Sequence, residues 1–388
     1  MDQELVPFRF NQLIAYFLKL GTFGFGGPIA LVGYMQRDLV EERRWISRQD
    51  YVDGLALAQL APGPLAAQLA MYLGWIRGGI AGATLIAVAF ILPSFLMVLF
   101  LSLLYIKFGG LTWMQGVFYG ISAAIIAIIA RSAVKLTKMT LAKDRLLWIL
   151  FAISAVVTAW TESEIVWLFL LSGFAALFIK ALPKFRENTS TFGLWFWPAG
   201  LMAGLHGVAS ASTLWKIAWY FVEAGSVVFG SGLAIVPFLY GGVVTDFHWL
   251  NERQFLDAIA VAMITPGPVV ITVAFIGYLV AGLAGAIVAA GATFLPVYLV
   301  VILLAPYFKK LSGNEKLNAF IKGVTAAATG VIAGSAFVLG KRAIVDIPAL
   351  LIFLATLLLL VKLKKIPEPI LILASGVIGL VLKQVVHS

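Results

Sequence analysis

Gly21-Thr22-Phe23-Gly24-Phe25-Gly26-Gly27-Pro28, followed downstream by Ala61-Pro62-Gly63-Pro64, is the stretch on which the reading of this chain turns. It returns as residues 225–232 and as Thr265-Pro266-Gly267-Pro268, at a constant offset of 204 residues and without a gap. Identical matches in that register include Gly21 with Gly225, Phe25 with Phe229, Gly26 with Gly230, Trp45 with Trp249 and Asp53 with Asp257. Chance does not keep a Pro-Gly-Pro, a Trp and an Asp in one register, so the chain is two copies of one unit. Farther on, Leu92-Pro93 answers Leu295-Pro296 at an offset of 203, and Gly116-Val117 answers Gly323-Val324 at 207. The homology therefore runs on through small insertions.

Of the 388 residues, 62% are hydrophobic and 12% charged, against about 45–50% apolar in soluble domains. A spanning helix needs about 20 mainly apolar residues, and such runs recur almost from end to end. The chain is thus expected to be an all-α polytopic membrane protein. Its segments lie near 10–33, 51–75, 78–107, 112–134, 147–163, 165–182 and 192–208, then 214–243, 255–281, 282–306, 320–340, 347–361 and 368–386, about thirteen in all. Residues 1–190 form one repeat, 191–212 a connecting span and 213–388 the second repeat.

Lys and Arg gather at 131–145, 180–186, 309–322 and 362–365. Cytoplasmic loops hold the basic excess, and placing all four there sets the second half upside down relative to the first, an inverted repeat. The loop at 37–48 resists the scheme, which puts it outside: Arg37, Arg43, Arg44 and Arg48 stand there against Asp38, Glu41 and Glu42. Re-entrant hairpins on either side of it are the alternative.

The net charge of +10 sits in short loops beside apolar runs, where it orients spans and meets lipid headgroups. No nucleic-acid partner is expected. Gly340-Lys341 is followed by Arg342, with Ser335 where a phosphate loop needs Gly, and no His-Glu-x-x-His occurs. Cysteine is absent, and His206, His248 and His387 are scattered, so neither an enzyme, a metal site nor a cofactor is indicated. Residues 1–11 lack a basic start and a small-residue cleavage site, which predicts that the first helix is retained.

The Gly-rich stretch sits inside an apolar segment that would otherwise be one helix. Gly weakens helices and Pro removes a donor, so the backbone is expected to unwind where protein or water satisfies it. Pro28 is suited to open a new helix, whose N–H groups and positive dipole end make an anion site. Candidate anion contacts are therefore Gly24, Phe25, Gly26, Gly27, Pro28, Pro62, Gly63 and Pro64. In the second half they are Phe229, Gly230, Ser231, Gly232, Thr265, Pro266, Gly267 and Pro268. The alternative for any single Gly is close helix packing. Paired breaks in both halves point instead to a transported substrate.

Gln59, Gln68, Ser231, Thr265 and Thr272 add donors without fixed charge near the breaks, ordinary interhelical bonding being their alternative. Lys19 and Glu223 occupy matched positions with opposite sign, which suggests an ion pair across the symmetry axis, or an anion-attracting group and a proton carrier; snorkelling is the alternative for Lys19. Asp53 and Asp257 are expected to begin helices as capping acids, with proton relay second. Arg77 is read as an orientation signal or the guard of an entrance. His206 is read as a packed polar residue rather than a metal ligand.

Phe-Gly-Gly-Pro at 25–28, Trp-Ile-Ser-Arg at 45–48, Ala-Pro-Gly-Pro at 61–64 and their second-half versions resemble the chromate ion transporter family in its long, two-domain form. The resemblance covers nearly the whole chain. It implies efflux of chromate across the bacterial inner membrane, energised by the membrane gradient, with sulfate as a related ligand, and antiparallel halves with thirteen spans. The second half departs from the pattern, having Ser231-Gly232 where Gly27-Pro28 stand. Chromate and sulfate share shape and charge, so a transporter of sulfate or another small anion, or a passive anion channel, stays open, as does assembly into a homodimer. Replacing Pro64 or Pro268, or adding a side chain at Gly26 or Gly230, is predicted to abolish anion transport while membrane insertion persists. Full activity in all four variants would remove the breaks from consideration as the site.

Overall fold

The computed structural model describes residues 5–25, 27–108, 112–141, 144–161, 166–180, 211–227, 229–230, 235–307, 315–362 and 368–386. The expected span at 192–208, Gly26, Ser231, Gly232, His206 and His387 lie outside them.

The first half opens with α1 (Phe10–Phe23), α2 (Gly27–Met35) and a π-helical extension, Gln36–Glu42. Then come α3 (Arg48–Leu60), α4 (Leu65–Phe108), α5 (Thr112–Leu141), α6 (Arg145–Thr161) and α7 (Val166–Lys180). The second half repeats the order with α8 (Ala211–Val227), α9 (Ile235–Tyr240), a π-helical Gly241–Asp246, α10 (Glu252–Ile264) and α11 (Thr272–Leu304). It ends with α12 (Glu315–Ala343), α13 (Ile347–Lys362) and α14 (Glu368–Val386).

The repeat extends to single dihedral angles. Ser47 caps α3 by accepting from the Asp50 N–H at 3.0 Å, and its counterpart Asn251 caps α10 by accepting from Gln254 at 2.9 Å. Among the described residues, the non-glycine residues with positive φ are the matched pair Arg44 (54°) and His248 (51°). α4 bends at Gly78 (φ −143°) and Gly79 (φ 56°), as α11 bends at Ala281 (φ −144°) and Gly282 (φ 60°).

Each half begins with two helical hairpins. The Tyr16 hydroxyl donates to Asp38 at 3.3 Å and the Arg43 guanidinium lies 5.4 Å from the Tyr16 ring centre, so α1 runs antiparallel to α2 and its extension. In the second half Tyr220 donates to the Phe238 carbonyl at 2.8 Å and stacks on its ring. α3 folds back on the first arm of α4, with Gly54 so close that a Cβ there would lie 2.3 Å from the Tyr72 ring. α10 and α11 close likewise, since Tyr105 bonds Asp257 of the one and packs on Phe275 of the other.

The apolar runs at 51–75 and 255–281, expected from sequence as single spans, therefore turn back at Pro-Gly-Pro. α3 and α10 have 13 residues each, about 20 Å of helix against a hydrocarbon core of about 30 Å. The unwinding expected from Gly21 onward starts later, at Gly24. Gly21 stays helical because a side chain there would strike the Phe90 carbonyl, its Cβ falling 2.3 Å from that oxygen, and Gly225 stands 2.1 Å from the Thr293 carbonyl in the same sense. These two glycines serve close packing of α1 on α4 and of α8 on α11.

At the base of the first hairpins, Val6 donates to the Arg44 carbonyl at 3.0 Å and Phe8 stacks on Trp45. Arg77, beside the α4 bend, donates to the Trp45 carbonyl with its guanidinium 5.0 Å from the Phe8 ring centre. The N-terminal segment, the 43–47 loop and the bend are thus one cluster.

The remaining helices are exchanged between the halves. α5 packs on α14, where a Cβ on Gly120 would lie 1.9 Å from the Ser375 carbonyl. α12 packs on α6 and α7, with Gly330 at 2.3 Å from the Phe151 carbonyl and Gly323 at 2.3 Å from that of Ser172. Arg131 reaches Glu368 at 3.9 Å at one end of α5, and Tyr119 bonds Asp346 toward the other. Among the described residues four helices, Leu65–Phe108, Trp113–Lys135, Val269–Tyr307 and Asn318–Ala343, are long and apolar enough to cross a membrane, and shorter apolar helices accompany them. The chain is an all-α membrane protein.

Gly79→Ala and Gly282→Ala are each predicted to lower stability by about 1–3 kcal/mol, because φ near +60° with strongly negative ψ is a conformation only glycine adopts cheaply, although nothing lies within 4 Å of either Cβ position. Gly291→Ala, in an equally open place but at ordinary helical φ, should be neutral or stabilising. Thermal melts in detergent compare the three.

Candidate functional site

The four hairpin tips meet crosswise. The tip of the first hairpin in the first half adjoins Pro-Gly-Pro of the second half, the Gly267 N–H donating to the Gly24 carbonyl at 2.9 Å. Reciprocally, Pro-Gly-Pro of the first half adjoins the first tip of the second half. There Gly63-Pro64 (β1) and Phe229-Gly230 (β2) form a two-residue parallel bridge, with Gly63 opposite Phe229 and Pro64 opposite Gly230. Each Pro-Gly-Pro also rests on the proline-bearing long helix of the other half. A Cβ on Gly267 would lie 1.9 Å from the Ser94 hydroxyl, and one on Gly63 would lie 3.0 Å from Val297. Ser94 and Val297 each directly follow the helix-interior prolines Pro93 and Pro296. Gly63 (φ 136°) and Gly267 (φ 100°) supply the backbone that these turns require.

The polar backbone at the tips is sorted by sign. The carbonyls at the helix C-terminal ends have partners: Gly24 O takes Gly267 N–H, Pro62 O takes the Gln68 amide at 2.6 Å, and Gly21 O takes the Ser94 hydroxyl at 3.2 Å. The tips also carry the N-terminal turns of α2, beginning at Gly27, and of α4, beginning at Leu65. The opening N–H groups of a helix have no partner within it and carry the positive end of its dipole. Such a region suits an anion, with no buried fixed cation required.

The predicted side chains divide. Gln68 is buried beside Gly63, and its Oε1 has no partner among the described residues. Gln59 is exposed on α3, and Phe25 is half-buried between α1 and α2. The hydroxyls expected as donors from Thr265 and Thr272 are already donated, to Val261 O at 2.6 Å and Val269 O at 2.8 Å. Both can only accept, because a threonine inside or ending a helix reaches the carbonyl of the preceding turn more easily than any ligand. Pro28 is the second residue of α2, where its missing N–H costs nothing. Gly27, just before it, has φ 72°.

The expected ion pair between Lys19 and Glu223 does not form. Both side chains are exposed, and among the described residues neither is in an ion pair; helices from different halves carry them outward. Asp53 and Asp257 do not begin their helices either. They lie more than a turn inside α3 and α10, because Ser47 and Asn251 take the capping positions. Asp53 is half-buried and accepts from Gln49, on its own helix, at 2.8 Å. Asp257 is 2% exposed and accepts from Tyr105 at 2.8 Å. Arg77 ties the α4 bend to the loop at 43–47 and is remote in sequence from every tip.

Sequence reasoning missed Ser94 and Tyr105, which touch the tips and Asp257 from another half or hairpin. For Ser94 a signal existed in the repeated Leu-Pro that precedes it; for Tyr105 none did.

The sequence pattern of the family described as Chromate transporter matches residues 11–177 and again 215–380, one match for each half. The chain is 57% identical over 380 residues to the "Chromate transport protein" of Cupriavidus metallidurans, covering 98% of this chain and 95% of the relative. It is 55% identical over 379 residues to the "Probable chromate transport protein" of Synechococcus elongatus, covering 96% of each. A shorter relative, the "Uncharacterized transporter YwrA" of Bacillus subtilis, is 30% identical over 170 residues, which are 42% of this chain but 93% of that protein. No solved structure matches the chain. Two homologous halves, each with Gly-rich and Pro-Gly-Pro hairpin tips, and a match that spans both of them lead to one statement: this chain is a member of the chromate transporter family, a family of transporters and not of enzymes.

Proposed function

We propose that the protein is a secondary transporter that exports chromate from the bacterial cytoplasm across the inner membrane, driven by the membrane gradient. The oxyanion is held where the four hairpin tips meet. The observation that carries this reading is the reciprocal contact of the tips, Gly267 N–H to Gly24 O and Gly63 beside Phe229. It brings interrupted helices of both halves to one place, where transporters of this kind bind substrate. Chromate is a doubly charged tetrahedral oxyanion, and backbone N–H groups at helix starts match its oxygens. The names of the full-length relatives favour chromate over sulfate, which has the same shape and charge.

In this reading the hairpins are re-entrant. The loop at 37–48 then lies on the same face as 131–145 and 180–186, so that every basic loop of the first half is cytoplasmic. The second half is inverted, its hairpins entering from outside. The pairing of Arg131 with Glu368 and of Tyr119 with Asp346 supports this, because each joins ends that the scheme assigns to one face. The chain divides into repeats 1–190 and 213–388 joined by 191–212, in keeping with the two family matches.

The absence of cysteine makes any introduced thiol a unique label. Arg44→Cys is predicted to react with an impermeant maleimide from the cytoplasmic face, and His248→Cys from the outside. Labelling of both from one face would overturn the inverted arrangement. In inside-out vesicles, labelled chromate should accumulate only in a proton or voltage gradient, with excess sulfate competing weakly. Sulfate accumulating in place of chromate would keep the architecture and overturn the substrate. Chromate equilibrating without accumulating would favour a channel.

A further inference from the structure

Asp257 is a charged residue type with no ion pair among the described residues. It is 2% exposed and lies inside α10, between the outer base of the hairpin and the Pro-Gly-Pro tip. The Thr265 end of α10 is about 12 Å away along the helix. One carboxyl oxygen accepts from the Tyr105 hydroxyl at 2.8 Å, while Oδ1 has no hydrogen-bond partner among the described residues. A carboxylate so placed carries a desolvation cost that a bound proton removes.

The groups around it are sparse. Among the described side chains, Tyr105 faces it from α4, and Arg253, one turn earlier on α10, is exposed. α5 and α11 approach through Phe118 and Phe275, which pack edge-on against Tyr105. The α5 charges start at Arg131, engaged with Glu368 of α14 and about 20 Å beyond Phe118. Lys383 lies toward the other end of α14. Glu252, at the start of α10, is held by Arg342 of α12.

Among the described residues the arrangement occurs in one half only. Asp53, at the matched position, is half-buried and bonded by Gln49 of its own helix, where the second half has Arg253. At the offset of 203 that pairs Pro93 with Pro296, Tyr105 answers Phe308, which has no hydroxyl. A pseudo-symmetric pair of hairpins therefore carries one buried, singly bonded carboxyl, and departures of this kind mark functional positions.

Resting on the transporter reading above, we infer that Asp257 takes up and releases the proton that drives transport, with Tyr105 as its positioning partner. A proton from the outer aqueous phase binds Oδ1, neutralises the carboxyl and lets the α10 hairpin tip move against its neighbours. It leaves to the cytoplasmic phase when the protein opens there, and no other bond is made or broken.

The test uses the purified full-length protein in liposomes, comparing chromate accumulation in an imposed pH gradient with chromate-for-chromate exchange in its absence. Asp257→Asn is expected to lose accumulation at least tenfold while exchange stays within about twofold of the parent protein. Accumulation at the parent level in Asp257→Asn overturns the assignment. If Asp257→Asn loses exchange as well, Tyr105→Phe decides. A moved pH midpoint of accumulation, which a merely packing tyrosine would not produce, supports the role, and an unmoved midpoint overturns it. A parent protein that exchanges chromate but ignores the pH gradient overturns the proton step alone and leaves the anion site standing. One that moves no chromate at all overturns the transporter reading and this assignment with it.

Discussion

A backbone that stops being helical inside a membrane must find hydrogen-bond partners within the protein, because lipid offers none. Everything distinctive about this molecule follows from how that demand is met. Each half interrupts its helices twice, and each interruption is completed by the other half: Gly24 O by Gly267 N–H, and Gly63-Pro64 by Phe229-Gly230. Side chains of the same half complete the rest, Gln68 at Pro62 O and Ser94 at Gly21 O. The helix exchange around the tips, α5 on α14 and α12 on α6 and α7, binds the halves in the same reciprocal way.

Bringing tips together this closely depends on removing side chains, and glycine therefore does two different jobs. At Gly63 and Gly267 it provides a positive φ for the turn. At Gly21, Gly225, Gly120 and Gly330 it lets one helix touch a carbonyl of another, at helical dihedrals. In lipid, where burying apolar surface between helices gains little, such close packing is a main source of helix association.

Matched caps and bends in the two backbones coexist with side-chain asymmetry at the places where chemistry is expected. Ser94 answers Val297, Gln49 answers Arg253, and Asp53 and Asp257 share a position but differ in burial and partners. A symmetric scaffold lets two orientations have comparable energy. In the transport cycle we propose, asymmetric side chains are then free to give the two orientations different affinities for ligand and proton, without which neither could shift the balance between them.

The amino-acid sequence by itself determined the membrane class, the two homologous halves and the places where helices break, because hydrophobic run length, an ungapped repeat and Gly-Pro clusters are local properties written residue by residue. It placed the breaks at residues 21–28, of which Gly21–Phe23 stay helical, and at 61–64 and 265–268, and Pro28 at the start of a helix. Only the tertiary structure decided that the apolar runs at 51–75 and 255–281 turn back, that Lys19 and Glu223 stay apart, and that Thr265 and Thr272 spend their hydroxyls on their own helices. It also joined Tyr105 to Asp257 across 152 positions of chain. These are matters of direction and partnership between segments distant in sequence, and an apolar run has the same composition whether it crosses the bilayer or reverses at its centre.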